Sequence, residues 1–145
     1  MITYDFESSI SYWVGLTSHV YEVSLNRELA GTGITIRQVQ VLACLALSGE
    51  MVQNELAELM RIEPSTLVRI LDRMERDCWI SREAAPNDRR KKIIVATEKA
   101  ASKWKKIVEC GERMEKRSIV GLSQTQLTNL KETLETIRKN LGSEI

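Results

Sequence analysis

Two apolar helical stripes lie almost end to end between Gln53 and Arg76, separated only by the break Arg61-Ile62-Glu63. Leu56, Leu59 and Met60 form the first stripe, and Leu67, Ile70, Leu71 and Met74 the second, at the spacings of three and four that mark a helix burying one face. Pro64 opens the second helix, where its fixed φ fits the first turn and its missing N–H is not needed. The period then changes. Trp79-Ile80-Ser81 and Ile93-Ile94-Val95 are rich in β-formers, and between them lie the turn-prone Ala85-Pro86-Asn87-Asp88 and the cluster Arg89-Arg90-Lys91-Lys92. The pattern is a helix-turn-helix followed by a hairpin with a cationic tip.

With Leu67, Ile70, Leu71 and Met74 facing the core, Ser65, Thr66, Arg69, Arg73 and Arg76 fall on the opposite face of the second helix. Three of these are cationic and two carry hydroxyls, so the face suits phosphate and base edges in a major groove. Charge distribution agrees. The chain as a whole is only +1, but from Arg61 to Lys92 nine Lys or Arg face six Asp or Glu, which leaves +3 in this segment and −2 elsewhere. A basic segment on a near-neutral body is the electrostatic footprint of a small DNA reader, although a solvated helix face would show the same charges.

These residues resemble the MarR-type winged helix-turn-helix regulators, and within them the SlyA-like members. The matching motifs are IEPSTLVRILDRME for the recognition helix, WISRE for the strand after it, and NDRRKKIIVATEKA for the wing and the start of the next helix. The resemblance covers residues 34–100 by motif and the remainder by helical layout. It implies a mainly α fold with a small β-hairpin: a winged helix-turn-helix lobe at 34–97, flanked by dimerisation helices at 5–30 and 98–142, the whole forming one domain over 1–145. The sequence departs from the pattern at Cys78, where most members carry Gly. Gly adopts a left-handed helix terminus at no steric cost and Cys does not, so either a distorted helix end or an unusual backbone is expected there.

The outer helices are legible from their caps. A first helix is expected from about Asp5 to Leu29, ending at Gly31-Thr32-Gly33, and Phe6, Ile10, Trp13, Val14, Val20, Tyr21 and Leu25 make it apolar on more than one side. The next starts at Thr35, with Gln38 as capping-box partner and Ile34 and Val39 as hydrophobic staple, and runs to Ser48-Gly49. After the wing, a helix from Thr97 carries Ala100, Trp104, Ile107, Gly111 and Met114 on one stripe. A last helix starts at Ser123 with Gln126, stapled by Leu122 and Leu127, and carries Leu127, Leu130, Leu134, Ile137 and Leu141 at spacings of 3, 4, 3, 4. That seam needs a partner, either the chain's own long helix or a second copy. The amount of apolar helix at the two termini favours a homodimer, and the resemblance implies the same.

In a dimer, two recognition helices (64–77) would read a pseudo-palindrome with half-sites about one helical turn apart. Ser65 and Thr66 would lie near phosphates and base edges. Arg69 is the expected bidentate base contact, with a surface ion pair to Asp72 as its competing role. Arg73 is expected to meet phosphate or to pair within the fold. In the wing (84–92), Arg90 is expected in the minor groove, with Asp88 holding its guanidinium, as the resemblance also implies; Arg89, Lys91 and Lys92 would attract phosphate.

Other function classes find little support. His19 is the single histidine, with no nucleophile or carboxylate at an activating spacing, and is expected to pack or to lie at an interface. No zinc-ligand spacing or cofactor motif is present, and Cys44, Cys78 and Cys110 form no CxxC or disulfide framework. Thiol sensing at Cys78 is disfavoured by Asp77 although Arg76 is also near, and the first helix, where related sensors place their cysteine, has none. No apolar run reaches a membrane span and Met1-Ile2-Thr3-Tyr4-Asp5 lacks a signal-peptide basic region, so a cytoplasmic protein, nucleoid-associated when bound to double-stranded DNA, is expected. Trp13, His19 and Tyr21 are candidates to line a pocket for a small aromatic or anionic effector. The competing readings are a helical protein-interaction module that has lost operator binding and a non-specific architectural DNA binder.

Overall fold

The computed structural model describes residues 3–142, the Arg89 side chain excepted. Six helices and a small antiparallel sheet follow the order α1 (Ile10–Leu29), α2 (Ile36–Ser48), β1 (Met51–Val52), α3 (Gln53–Leu59), α4 (Pro64–Arg76), β2 (Ile80–Ala85), β3 (Asp88–Ala96), α5 (Glu98–Ser118) and α6 (Gln124–Asn140). This is a mainly α fold with a winged helix-turn-helix at its centre. Two compact units divide between Gly111 and Glu112.

In the first unit, α2, α3 and α4 pack on the sheet. Val41, Leu56, Leu67, Leu71, Met74 and Ile94 are fully enclosed, and Leu45, Ile80 and Ile107 nearly so. The α4 stripe therefore does what its spacing requires, while Leu59 of α3 is 44% exposed and leaves the core to Leu56 and Ala57. The Thr35 cap forms as expected: Thr35 N–H donates to Gln38 Oε1 at 2.9 Å, Gln38 N–H donates to Thr35 Oγ1 at 3.3 Å, and Ile34 and Val39 are buried beside them.

Three departures have identifiable causes. First, α1 begins at Ile10, not near Asp5. Ser9 accepts from Tyr12 N–H at 3.3 Å, and the segment before it turns back as the Trp13 indole donates to the Glu7 carbonyl at 2.9 Å. Second, the strands are longer than their β-rich cores, and Trp79 lies before β2. β3 is the central strand because the two-residue β1 pairs on its other side, Met51 with Ile94 and Val52 with Ile93. A strand of that length has no sequence period to read.

Third, Cys78 takes the left-handed conformation itself, with φ 59°. The Trp79 N–H donates to the Met74 carbonyl at 2.8 Å and the Cys78 N–H to the Glu75 carbonyl at 2.9 Å, the two bonds of a Schellman terminus. The helix end keeps its geometry despite the missing glycine. Arg61, with φ 51°, ends α3 through the same pair of bonds: Ile62 N–H to Ala57 O at 3.1 Å and Arg61 N–H to Glu58 O at 3.0 Å. Both ends of the segment carrying the recognition helix are thus set by non-glycine left-handed residues.

In the second unit, α6 is capped by Ser123 and Gln126 as expected, and none of its residues is buried. Leu130 is 51% exposed and Leu141 79%. On α1, Ile10, Trp13 and Val20 are each at least half exposed, and Leu29 is its buried residue.

Candidate nucleic-acid interface

Helix α4 has an apolar side sunk in the core and a polar side in solvent, where Ser65, Thr66, Arg69 and Arg73 are all exposed. Thr66, Arg69 and Arg73 follow one another at three and four residues and so share a face. Glu63 precedes the helix without a side-chain cap, leaving the first-turn N–H groups without a capping side chain beside Ser65. Such a terminus favours an anion.

Neutralisation of the neighbouring acids decides what that face presents. The expected competitor for Arg69 was Asp72, but Asp72 is taken by Arg82: Nη1 of Arg82 lies 2.7 Å from Asp72 Oδ1 and 2.7 Å from Glu75 Oε2. Asp77 lies 3.4 Å from Arg76 Nε. Among the described residues no carboxylate pairs with Arg69 or Arg73. The outer face keeps two unneutralised guanidiniums while the acids on its flank are held elsewhere.

A cleft of about 400 Å³ lies at the turn before α4, and another of about 320 Å³ runs along its other flank, lined by Thr35, Arg37 and Gln38 of the α2 start and by Thr66, Arg69, Ile70 and Arg73. Arg37, whose Nη1 donates to Gln40 Oε1 at 2.9 Å, adds a third guanidinium that the motif reading did not single out. Its only sequence signal is a cation in the first turn after a cap.

The wing closes through Pro86-Asn87. Ala85 pairs with Asp88, while Ala84 pairs with Lys92, so residues 89–91 have no cross-strand partner and the register breaks there. This bulge places Arg90 and Lys91, both exposed, at the tip. Asp88 differs from expectation: its Oδ1 accepts from the Arg90 backbone N–H at 3.0 Å, fixing the main chain of the bulge and not the guanidinium. An acceptor two residues before an N–H forms a local turn more readily than it reaches a long side chain across the same chain. The Arg89 side chain lies outside the described residues.

The base of the wing is fastened to α5 as well. Thr97 Oγ1 donates to the Cys78 carbonyl at 2.6 Å, Thr97 N–H donates to the Trp79 carbonyl at 3.0 Å, and Lys103 Nζ sits 5.2 Å from the Trp79 ring centroid.

The effector candidates are not gathered within one protomer. Trp13 lines an open cavity of about 740 Å³ with Tyr4, Asp5, Phe6, Glu7 and Tyr12, and neither His19 nor Tyr21 borders it. Residues two apart on a helix point about 200° apart, which separates His19 from Tyr21. Of the cysteines, Cys110 is buried with Sγ 3.5 Å from the Glu28 carbonyl, Cys78 is exposed, and burial pushes the Cys44 thiol pKa up. Among the described residues no group of His, Cys, Asp or Glu could hold a metal ion, and no helix is long and apolar enough to cross a membrane.

A helix-turn-helix with an open cationic face, followed by a hairpin whose tip is cationic, defines a winged helix-turn-helix protein. Residues 34–92 of the chain match the model of the MarR family. Its similarity extends to the uncharacterized HTH-type transcriptional regulator YwoH of Bacillus subtilis, 33% identical over 82 residues, which span 57% of this chain and 59% of that protein. The HTH-type transcriptional repressor IacR of Pseudomonas putida is 25% identical over 130 residues, 90% of this chain and 78% of that one. In fold, a variant of MarR from E. coli complexed with operator DNA is similar with a TM-score of 0.77 at 21% identity, over 88% of this chain and 92% of that one. YwoH and IacR are described as a transcriptional regulator and a transcriptional repressor.

Proposed function

We propose that the protein is a sequence-specific DNA-binding transcriptional regulator acting as a homodimer. Each subunit places helix 64–77 in the major groove and wing 84–92 in the minor groove of a pseudo-palindromic operator. The observation that carries this is the pairing of Asp72 and Glu75 with Arg82, which leaves Arg69 and Arg73 unneutralised on the outer face of α4. Arg69 then reads a base, with guanine preferred, Ser65, Thr66 and Arg73 hold phosphates, and Arg90 enters the minor groove from a bulge ordered by Asp88. Arg89 and Lys91 supply phosphate attraction. Operator-bound MarR shares the fold, and IacR's description supports repression as the mode.

The homodimer is supported by the exposed apolar residues of α1 and α6, which a monomer would leave in water. A small aromatic or anionic effector releases DNA if it binds one spacing of the two recognition helices better than the other, and Trp13 beside its open cavity is the residue we assign to it. No catalytic role is assigned, and the site of action is the cytoplasm, at the nucleoid when DNA is bound.

Selection of bound duplexes from a random pool tests the reading. An enriched inverted repeat with half-sites about one helical turn apart supports it. Uniform binding with a steep salt dependence would favour an architectural binder, and no DNA binding would leave a protein-interaction module.

A further inference from the structure

We infer that Arg82 is a positioning residue coupling the two DNA-reading elements: by clamping β2 to α4 it sets where the wing tip meets the minor groove. The inference rests on the DNA-binding reading above and deepens it.

Arg82 lies on the wing's first strand, yet the partners of its guanidinium are on α4. Nη1 contacts Asp72 Oδ1 and Glu75 Oε2, each at 2.7 Å, and Nη2 donates to the Val68 carbonyl at 3.3 Å. Val68, Asp72 and Glu75 are spaced four and three residues apart, so one guanidinium fork grips two turns of one helix flank. The side chain is only 17% exposed, and its cross-strand partner, Ile94, is fully buried and paired on its other side with Met51.

Stability alone is a poor account of this arrangement. The Nε of Arg82 is buried without a hydrogen-bond partner, so the cation is not fully compensated, and an apolar side chain of similar volume would avoid that cost. What an apolar residue would not supply is direction. The planar fork fixes one angle between strand and helix, whereas apolar packing accepts several.

That angle matters because the wing is a lever. From Arg82 to Ala85 the strand extends roughly 10 Å at about 3.3 Å per residue, so a rotation of about 10° at the clamp moves the tip by roughly 2 Å. Groove contacts of hydrogen-bond length tolerate only a fraction of that displacement. Arg82 therefore acts on DNA through Arg90, which it does not touch, and leaves Arg69 on its own rigid helix unaffected.

A double-mutant cycle by fluorescence anisotropy on the selected duplex tests this. In the otherwise unchanged protein, Arg90→Ala weakens binding about tenfold or more. In an Arg82→Lys background, which keeps the charge but loses the fork, Arg90→Ala should cost less than about threefold while Arg69→Ala keeps its full cost. A merely structural loss would weaken both contacts alike. Equal cost of Arg90→Ala in both backgrounds overturns the inference. Should Arg82→Lys fail to fold, the pair Asp72→Asn with Glu75→Gln opens the clamp from the helix side, with the same expectation. An unchanged protein that prefers no duplex removes the DNA-binding reading and this inference together, whereas selective binding with an additive cycle removes this inference alone.

Discussion

At Cys78 a β-carbon sits in a backbone conformation that favours glycine, with φ 59°, yet both bonds of the helix terminus are made. A non-glycine residue there costs about 1–2 kcal/mol. Cys78→Gly should therefore raise stability by about 1 kcal/mol, part of the relief being offset by a more flexible unfolded chain, and the urea midpoint measures it. Asp88 acts on the bulge main chain, so Asp88→Ala should lower DNA affinity several-fold with little change in melting temperature; an equal loss of melting temperature would assign it to the fold instead. Arg37 borders the same cleft as Arg69 and Arg73. If it meets phosphate, Arg37→Gln should weaken binding uniformly across sequences and reduce the salt slope by about one. Of these roles, the glycine-like demand at Cys78 was legible through the resemblance, most of whose members carry Gly there. The backbone target of Asp88 was not, because a motif gives spacing but not which group of Arg90 donates to the carboxylate.

At the scale of elements, legibility followed locality. The starts of α2 and α6 came directly from Thr35/Gln38 and Ser123/Gln126, since a capping box is a contact over three residues. Removing one such oxygen, as in Thr35→Ala, should cost about 1 kcal/mol, read as a shift in the denaturant midpoint at constant slope. α1 was read as starting near Asp5 because its apolar pattern continues through Phe6, but an aromatic group of Tyr4, Phe6, Tyr12 and Trp13 turns that segment back, with ring centroids 4.8–5.7 Å apart. β1 and the Arg82 clamp were hidden for the opposite reason. Met51 meets Ile94, and Arg82 meets Asp72, across separations that carry no period, so composition counted Arg82 only as one more cation in the segment.

The first unit presents an open cationic surface, and apolar side chains of α1 and α6 are left exposed. The second feature predicts a dimer in solution by sedimentation, and a charge on the α6 seam, Leu134→Glu, should shift it towards monomer while α2 to α4 keep their fold. Monomerisation should also weaken operator binding steeply, because two half-sites would no longer be bound through one particle. The central claim is that recognition helix and wing together read a defined sequence. Its most direct test is fluorescence anisotropy on the selected duplex and a scrambled one at matched salt, for the unchanged protein, Arg69→Ala and Arg90→Ala. The account predicts tight, sequence-dependent binding by the unchanged protein, lost by about 1–3 kcal/mol in each variant on the selected duplex and hardly changed on the scrambled one. Equal affinity for both duplexes, with both variants indistinguishable from the unchanged protein, would contradict it.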